Sequence, residues 1–306
     1  WFVRQGWLED TSVCAWFGVV CSVDGLVTDI VLDNNGLFGS LPKELFLLTD
    51  LVLFSVNFNS LEGTIPTEVG LLTKLTGLFI GTAAFKLLKG AIPTEIGNLR
   101  ELRDLHLPRN GLTGAIITEI GLLTSLTNLE LNENYLTGTL PTEVGMLTGL
   151  TSAGLWVNRL EGSLPSQLTA LSNLENLIAS SNQFNGQMPD GIEGMASLTT
   201  LSLGSNDLAG TLPTQLGLLP QLRELWLEEN QFSGPIPTEL GNISTLNLLF
   251  LGSNQLTGAL PSELGLLTGL TWLDVASNLL TGTIPDSFDA LANSTVIDYS
   301  DNNIIV

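Results

Sequence analysis

The sequence predicts an α/β solenoid, a stack of short coils that share one core. Three observations predict it. Glycine recurs at Gly39, Gly63, Gly90, Gly114, Gly138, Gly162, Gly186, Gly210, Gly234, Gly258 and Gly282, every spacing being 24 residues except one of 27. Asparagine stands four residues before most of these glycines, at Asn35, Asn59, Asn110, Asn134, Asn158, Asn182, Asn206, Asn230, Asn254 and Asn278, and returns at Asn302. Proline follows each glycine by three residues, from Pro42 to Pro285, with Ile117 as the one replacement. Repetition at this period, rather than the length of 306 residues, decides the architecture.

The unit from Leu129 to Leu150 shows the physical logic in order. Leu129 and Leu131 alternate with polar residues, the period-two signature of a short strand with one buried face. So little of each unit is extended that none can fold alone, and stacking copies builds a parallel sheet over one shared core. Asn134 stands where the chain leaves the strand and turns inward, and its amide can serve backbone groups that the sheet no longer reaches. Gly138 permits the next turn, and Pro141 starts a helical turn that does not need its missing N–H. Leu147 and Leu150 then return the chain to the core. One unit departs from the pattern. Counting 24 residues from Asn59 reaches Ala83, and the next glycine falls three residues late, at Gly90. The stretch Ala84 to Lys89 therefore holds a three-residue insertion just beyond Leu78 and Ile80. It reads either as drift in a tolerant repeat or as a functional loop.

This pattern resembles the plant-type leucine-rich repeat, whose signature is Leu-x-Gly-x-Ile/Leu-Pro after the asparagine at a 24-residue period; the resemblance covers essentially the whole chain. It implies a right-handed superhelix of about 12 repeats, with a parallel sheet from Ile30 to Tyr299 on the concave side. A second short sheet near the Leu-x-Gly-x-Ile-Pro segment and 3₁₀ or short helical turns on the convex side are implied as well. Residues 1–29 then form a partial N-terminal cap and 30–306 the solenoid, its last repeat incomplete. The stretch from Trp7 through Cys14-Ala-Trp16-Phe-Gly18-Val-Val-Cys21 resembles the cap of secreted and cell-surface members, where this cysteine pair is disulfide-bonded. The resemblance thus implies a Cys14–Cys21 bridge contributing on the order of 2–3 kcal/mol, and an extracellular or cell-surface location. Two N-x-S/T sequons, at Asn242 and Asn293, fall on the convex side as glycan acceptors. Trp1 opens the chain without a signal-peptide pattern, so any secretion signal is expected outside it. The final repeat stops at Asn302–Val306 before its glycine and proline, so further chain or a partner is expected against the last coil.

Composition narrows the function. A net charge of −21, from 10 basic and 31 acidic residues, excludes nucleic acid as a partner, because phosphate binding needs clustered Lys and Arg. The imbalance is uneven: residues 1–109 hold eight basic and twelve acidic residues, whereas 110–306 hold only Arg159 and Arg223 against nineteen acids. No apolar run reaches the roughly 18 residues of a membrane span. His106 is the only histidine, which leaves no triad or histidine metal site, and no serine has a glycine elbow or a basic partner. No enzyme activity, cofactor or metal is expected.

Counted from each strand leucine, the next residue and the two before the asparagine face the concave side. Down the stack these include Phe79, His106, Arg109, Glu130, Glu133, Trp156, Trp226, Glu228, Glu229, Phe250, Asp274 and Asp298. Aromatics among acids suit a protein or peptide partner of cationic character, although scattered surface aromatics are also ordinary. Trp226 and Phe250 hold equivalent places in adjacent repeats and are expected about 5 Å apart. A column of acids after the proline, from Glu44, Glu68 and Glu95 to Glu239 and Glu263, could hold calcium; it reads better as solvated acids at the starts of the convex turns. Threonines at 137, 139, 281 and 283 suggest an ice- or mineral-facing surface, but Glu62, Asn185, Ala209 and Pro235 interrupt them. The chain is read as an extracellular protein-interaction module, the ligand-binding ectodomain of a receptor-like or adhesion protein. A matrix or surface-coat component that self-associates, and a secreted enzyme-inhibiting repeat protein, are the alternatives.

Overall fold

The computed structural model describes residues 2–7, 9, 12–82, 88–291 and 295–305. Contacts divide the chain into two compact units, Trp1–Asn158 and Arg159–Val306. In the first, the alternating segments form strands Val27–Val31, Leu53–Ser55, Gly77–Phe79, Asp104–His106, Asn128–Glu130 and Ser152–Gly154. These pair in parallel, with Ile30, Phe54, Leu78, Leu105, Leu129 and Ala153 in one register. The second unit repeats the arrangement with Asn176–Ile178, Thr200–Ser202, Glu224–Trp226, Leu248–Phe250, Trp272–Asp274 and Val296–Asp298. Here Leu177, Leu201, Leu225, Leu249, Leu273 and Ile297 share the register. The leucines from Leu201 to Leu273 in this row are fully buried, each burial worth about 1.5–3 kcal/mol.

Each unit also carries a second parallel sheet, from Phe38–Ser40 to Tyr135–Gly138 in the first and from Arg159–Gly162 to Asn303–Ile305 in the second. Every helical segment described is a 3₁₀ turn, so the fold is the solenoid that the repeat implies. The repeated proline corrects one expectation. Pro141 is not the first helical residue but the cap before it, with φ −67° and ψ 143°. Its carbonyl accepts from Val144 N at 3.1 Å, so its value lies in a fixed extended φ and a free carbonyl.

The asparagines join one coil to the next. Asn206 donates through Nδ2 to Leu203 O in its own coil at 2.9 Å and to Ala179 O in the preceding coil at 3.1 Å. Its Oδ1 accepts from Phe184 N of the preceding coil at 3.0 Å. Asn134, Asn230, Asn254 and Asn278 make the same bonds. The residue before each such asparagine is left-handed: Arg109, Glu133, Val157, Ser205 and Glu229 have φ between 53° and 61°. For a residue with a Cβ that conformation costs about 1–2 kcal/mol, and Val157 is branched as well. The asparagine bonds offset the cost in coil after coil.

Before the first coil, Cys14 and Cys21 form the disulfide that the cap resemblance implies. Strand Val19–Cys21 pairs antiparallel with Val27–Val31, and Asn35 grips Val3 at both its N–H (2.6 Å) and its carbonyl (2.8 Å). The Trp7 and Trp16 rings pack at 4.7 Å. Residues 83–87, most of the insertion, lie outside the described residues. Register is regained at Leu88–Gly90, which pairs with Ser60–Thr64 and Gly111–Gly114. Thr82 Oγ1 bonds Arg109 O at 2.6 Å, and the fully buried Oδ1 of Asn110 has no partner among the described residues.

Asn206, buried in the bend before a strand, is thus distinguished from Asn185, exposed within a strand of the second sheet. Asn206→Leu leaves buried amide and carbonyl groups unpaired and is expected to lower unfolding free energy by roughly 1–3 kcal/mol, while Asn185→Leu changes it little. Chemical denaturation of the two variants checks this, and equal losses would contradict the assigned role.

Candidate binding surface

Parallel register places the residue after each strand leucine beside its equivalent in the next coil, and six candidate residues fall in each unit. In the second unit Trp226 pairs with Phe250, Phe250 with Asp274 and Asp274 with Asp298. The Trp226 and Phe250 rings stack at 4.0 Å with planes 5° apart. Trp272 extends the row, its ring 5.6 Å from that of Phe250. Trp226 Nε1 donates to Glu224 Oε2 at 3.2 Å, which fixes the indole at the far end of the row.

Carboxylates border the rings. Glu228 stands two residues before Asn230, and its side chain lies against Gly204 of the preceding coil, where a Cβ would collide with the carboxylate. Asp274 lies against Gly252 in the same manner. These glycines let acidic side chains lie flat on the sheet rather than extend into water. Burial pushes both carboxyls above the usual range, against the opposing effect of backbone N–H bonds; Glu229 and Asp274 raise Glu228 further, and Asp298 raises Asp274. Among the described residues, nothing hydrogen-bonds the buried Oε2 of Glu228. Glu229, at the left-handed corner, accepts from Ser205 Oγ at 2.7 Å.

The first unit carries a sparser set. Phe79 and His106 rings meet at 4.7 Å, and burial holds His106 below its ordinary value, Asp104 opposing. Arg109 and Glu133, at consecutive left-handed corners, form an ion pair of 3.0 Å. Glu130 lies against Gly154 and accepts from Ser152 Oγ at 3.3 Å; burial raises its carboxyl. Trp156 stands two residues before Asn158, in the column that holds Glu228 in the second unit, not in that of Phe79 and His106. The acidic column after the proline meets neighbouring hydroxyls: Glu119, Glu143 and Glu239 accept from Thr118, Thr142 and Thr238. Among the described residues no group of three His, Cys, Asp or Glu side chains converges as a metal site. Asn242 is exposed at the end of its turn, and Asn293 lies outside the described residues.

Sequence reading missed Trp272 and Glu224. Both precede the strand leucine, and counting began after it; period-two alternation places both flanking residues on the same face.

The raised carboxyls make stability depend on pH with a definite sign. A carboxyl whose folded pKa is raised favours folding fully below its unfolded pKa, and that contribution is lost as pH rises through the folded value. Glu228→Gln is therefore expected to raise the thermal midpoint at neutral pH, the gain closing as pH falls below the ordinary glutamate range. Melting curves at the two ends of this window decide it, and a gain that does not change with pH would contradict burial as the cause.

The Leucine Rich Repeat family model matches residues 125–147, 221–243 and 269–291. The LRR receptor-like serine/threonine-protein kinase RGI3 of Arabidopsis thaliana is 44% identical over 72 residues, 22% of this chain and 6% of that protein. Among solved structures the chain resembles the Arabidopsis receptor kinase HAESA, crystallised with the peptide hormone IDA and the co-receptor SERK1. The TM-score is 0.85 at 29% identity, over 97% of this chain and 50% of that one. A plant ice-binding protein gives 0.74 at 25% identity, over 99% and 90%. A leucine-rich-repeat protein of Leptospira interrogans gives 0.51 at 30%, over 89% and 77%. The chain thus spans a small part of the receptor kinase RGI3 and half of the crystallised HAESA chain. With its 24-residue units, capping disulfide and paired parallel sheets, this chain belongs to the leucine-rich-repeat family in its plant-type form.

Proposed function

We propose that this chain is the ligand-binding part of an extracellular receptor-like protein, and that it takes an extended peptide of cationic character across the principal sheet of its second unit. The observation that carries the reading is the row Trp226, Phe250 and Trp272 bordered by Glu228, Glu229 and Asp274. Rings already stacked lose little freedom when a ligand covers them, and aromatic clusters of this kind dominate binding energy. Carboxylates around them attract a peptide bearing Lys or Arg and repel an acidic one. Burial of the Glu228 carboxylate adds to this, because a cation beside it relieves a charge held in a poor solvent. The Cys14–Cys21 disulfide supports an oxidising compartment, and likeness to a receptor crystallised with a peptide hormone supports the ligand class. On this reading the chain contributes recognition and not catalysis.

A second reading rests on the plant ice-binding protein, whose length this chain nearly spans. It asks for an unbroken hydroxyl and methyl array on the second sheet. In the first unit Glu62 and Lys89 stand exposed in that array, and in the second Asn185 and Gln187 replace threonine, which favours the peptide reading.

Selection from a library of extended peptides, followed by calorimetry and association kinetics, tests the proposal. Selected peptides are expected to carry Lys or Arg. Trp226→Ala is expected to weaken them by about 2 kcal/mol or more without loss of fold. Arginine at positions 228 and 229 is expected to slow association chiefly, by a factor that shrinks as salt rises. Selected peptides indifferent to all three changes would remove the reading.

A further inference from the structure

Two carboxylates of the second unit lie over equivalent backbone positions two coils apart. The Glu228 side chain rests on Gly204, and the Asp274 side chain rests on Gly252, with Oδ1 2.8 Å from the point where a Cβ of that glycine would stand. Ser202, Trp226 and Phe250 share one register, so Gly204, Glu228 and Gly252, each two residues further on, share another. Neither glycine has the left-handed backbone that demands glycine elsewhere in the coil, so space for a carboxylate is what each supplies. Beside this column stand the stacked rings of Trp226 and Phe250. Burial raises both carboxyls, and the charge of Asp274 raises Glu228 further. Basic side chains to balance them are scarce, since beyond residue 110 the sequence holds only Arg159 and Arg223. Two negative charges are thus held at a fixed interval along an aromatic wall.

Strands of a sheet lie about 4.8 Å apart, so the two glycines that carry the carboxylates are about 9.6 Å apart along the stack. A ligand lying along the stack must repeat its side chains at that interval to meet both. An extended strand brings a side chain back to the same face every two residues, about 6.8 Å, and falls short. A polyproline II helix does so every three residues, about 9.3 Å, and matches. Hydrogen bonding favours the same answer. Strands Glu224–Trp226 and Leu248–Phe250 are each paired on both sides, so an added strand finds no edge here, whereas polyproline II needs no ladder. We propose that the ligand takes the polyproline II conformation along the principal sheet of the second unit and bears basic residues three positions apart, one meeting Glu228 and the other Asp274. The inference deepens the peptide-binding reading above and rests on it. Proline rings suit the Trp226–Phe250 pair, because polyproline II segments dock on aromatic-lined surfaces. The conformation is populated before binding, so little chain entropy is lost. Charge fixes the register, since a shift by one residue turns both basic side chains away from the acids.

The test uses the secreted chain with its Cys14–Cys21 disulfide formed, and short proline-rich peptides of one composition whose two lysines stand at i and i+2, i and i+3, or i and i+4. Calorimetry is expected to find the i, i+3 peptide about fivefold tighter than the others, the worth of one ion pair at a half-buried site. Glu228→Gln and Asp274→Asn are each expected to reduce it to the level of the other spacings. Gly252→Ala keeps every charge but displaces the Asp274 carboxylate, and is expected to abolish the preference for i, i+3 while the peptides still bind. Equal affinity at all three spacings would overturn the inference. So would a preference for i, i+2, the mark of an extended strand, or a preference for i, i+3 that survives Gly252→Ala. Library-selected peptides separate the two claims: if they bind through Trp226 and no spacing is favoured, the functional reading stands and the polyproline II ligand falls, and if none binds, both fall.

Discussion

Each coil must close on the next without regular secondary structure to carry its hydrogen bonds, and the inward-turned asparagine meets that constraint. Only three to five residues of a coil are in any one strand or turn. Between these elements lie backbone groups that the sheets cannot serve, and leaving such groups buried and unpaired is expensive. One amide side chain satisfies donors and acceptors in its own coil and in the coil before it, as Asn206 does. Because this bond set spans two coils, it stabilises the stack and not the single repeat, which fits the inability of one coil to fold by itself.

The proposed binding surface is a consequence of the same constraint. To turn the asparagine inward, the residue before it adopts a left-handed backbone, and that corner holds Arg109, Glu133 and Glu229 at the margin of the sheet. Parallel pairing in constant register then aligns side chains of consecutive coils, so that Trp226 and Phe250 stack because a coil repeat separates them. Glycine at 204 and 252 supplies the opposite effect, an absence of side chain that lets Glu228 and Asp274 lie down on the sheet. Burial and charge are thereby brought to the aromatic row without a cavity.

Most of the fold was legible in the sequence because the repeat is its own alignment: glycine, asparagine and proline at fixed intervals reveal which positions are equivalent. Strand positions, the buried leucines and the Trp226–Phe250 neighbourhood all follow from that count. Three features did not. Trp272 was overlooked because the face of a three-residue strand includes the residue before its leucine. Pro141 was placed one position too far into its turn, since composition does not distinguish a cap from a first helical residue. The left-handed corners were invisible, because residues as different as Val157, Ser205 and Glu229 occupy them and the driving force lies in the following asparagine. The insertion was located by counting alone, and in the coil that follows it Asn110 Oδ1 has no donor among the described residues.

The asparagines continue the hydrogen-bonding of the sheet into the interior of the stack. Native-state hydrogen exchange of the amides of Phe184, Leu208, Phe232 and Leu256 tests it most directly, since each donates to the Oδ1 of an asparagine in the following coil at 2.9–3.0 Å. The account predicts that these four exchange as slowly as the strand amides of Leu201, Leu225 and Leu249, through unfolding of the stack. Exchange at the rate of exposed loop amides, with the strands still protected, would contradict it.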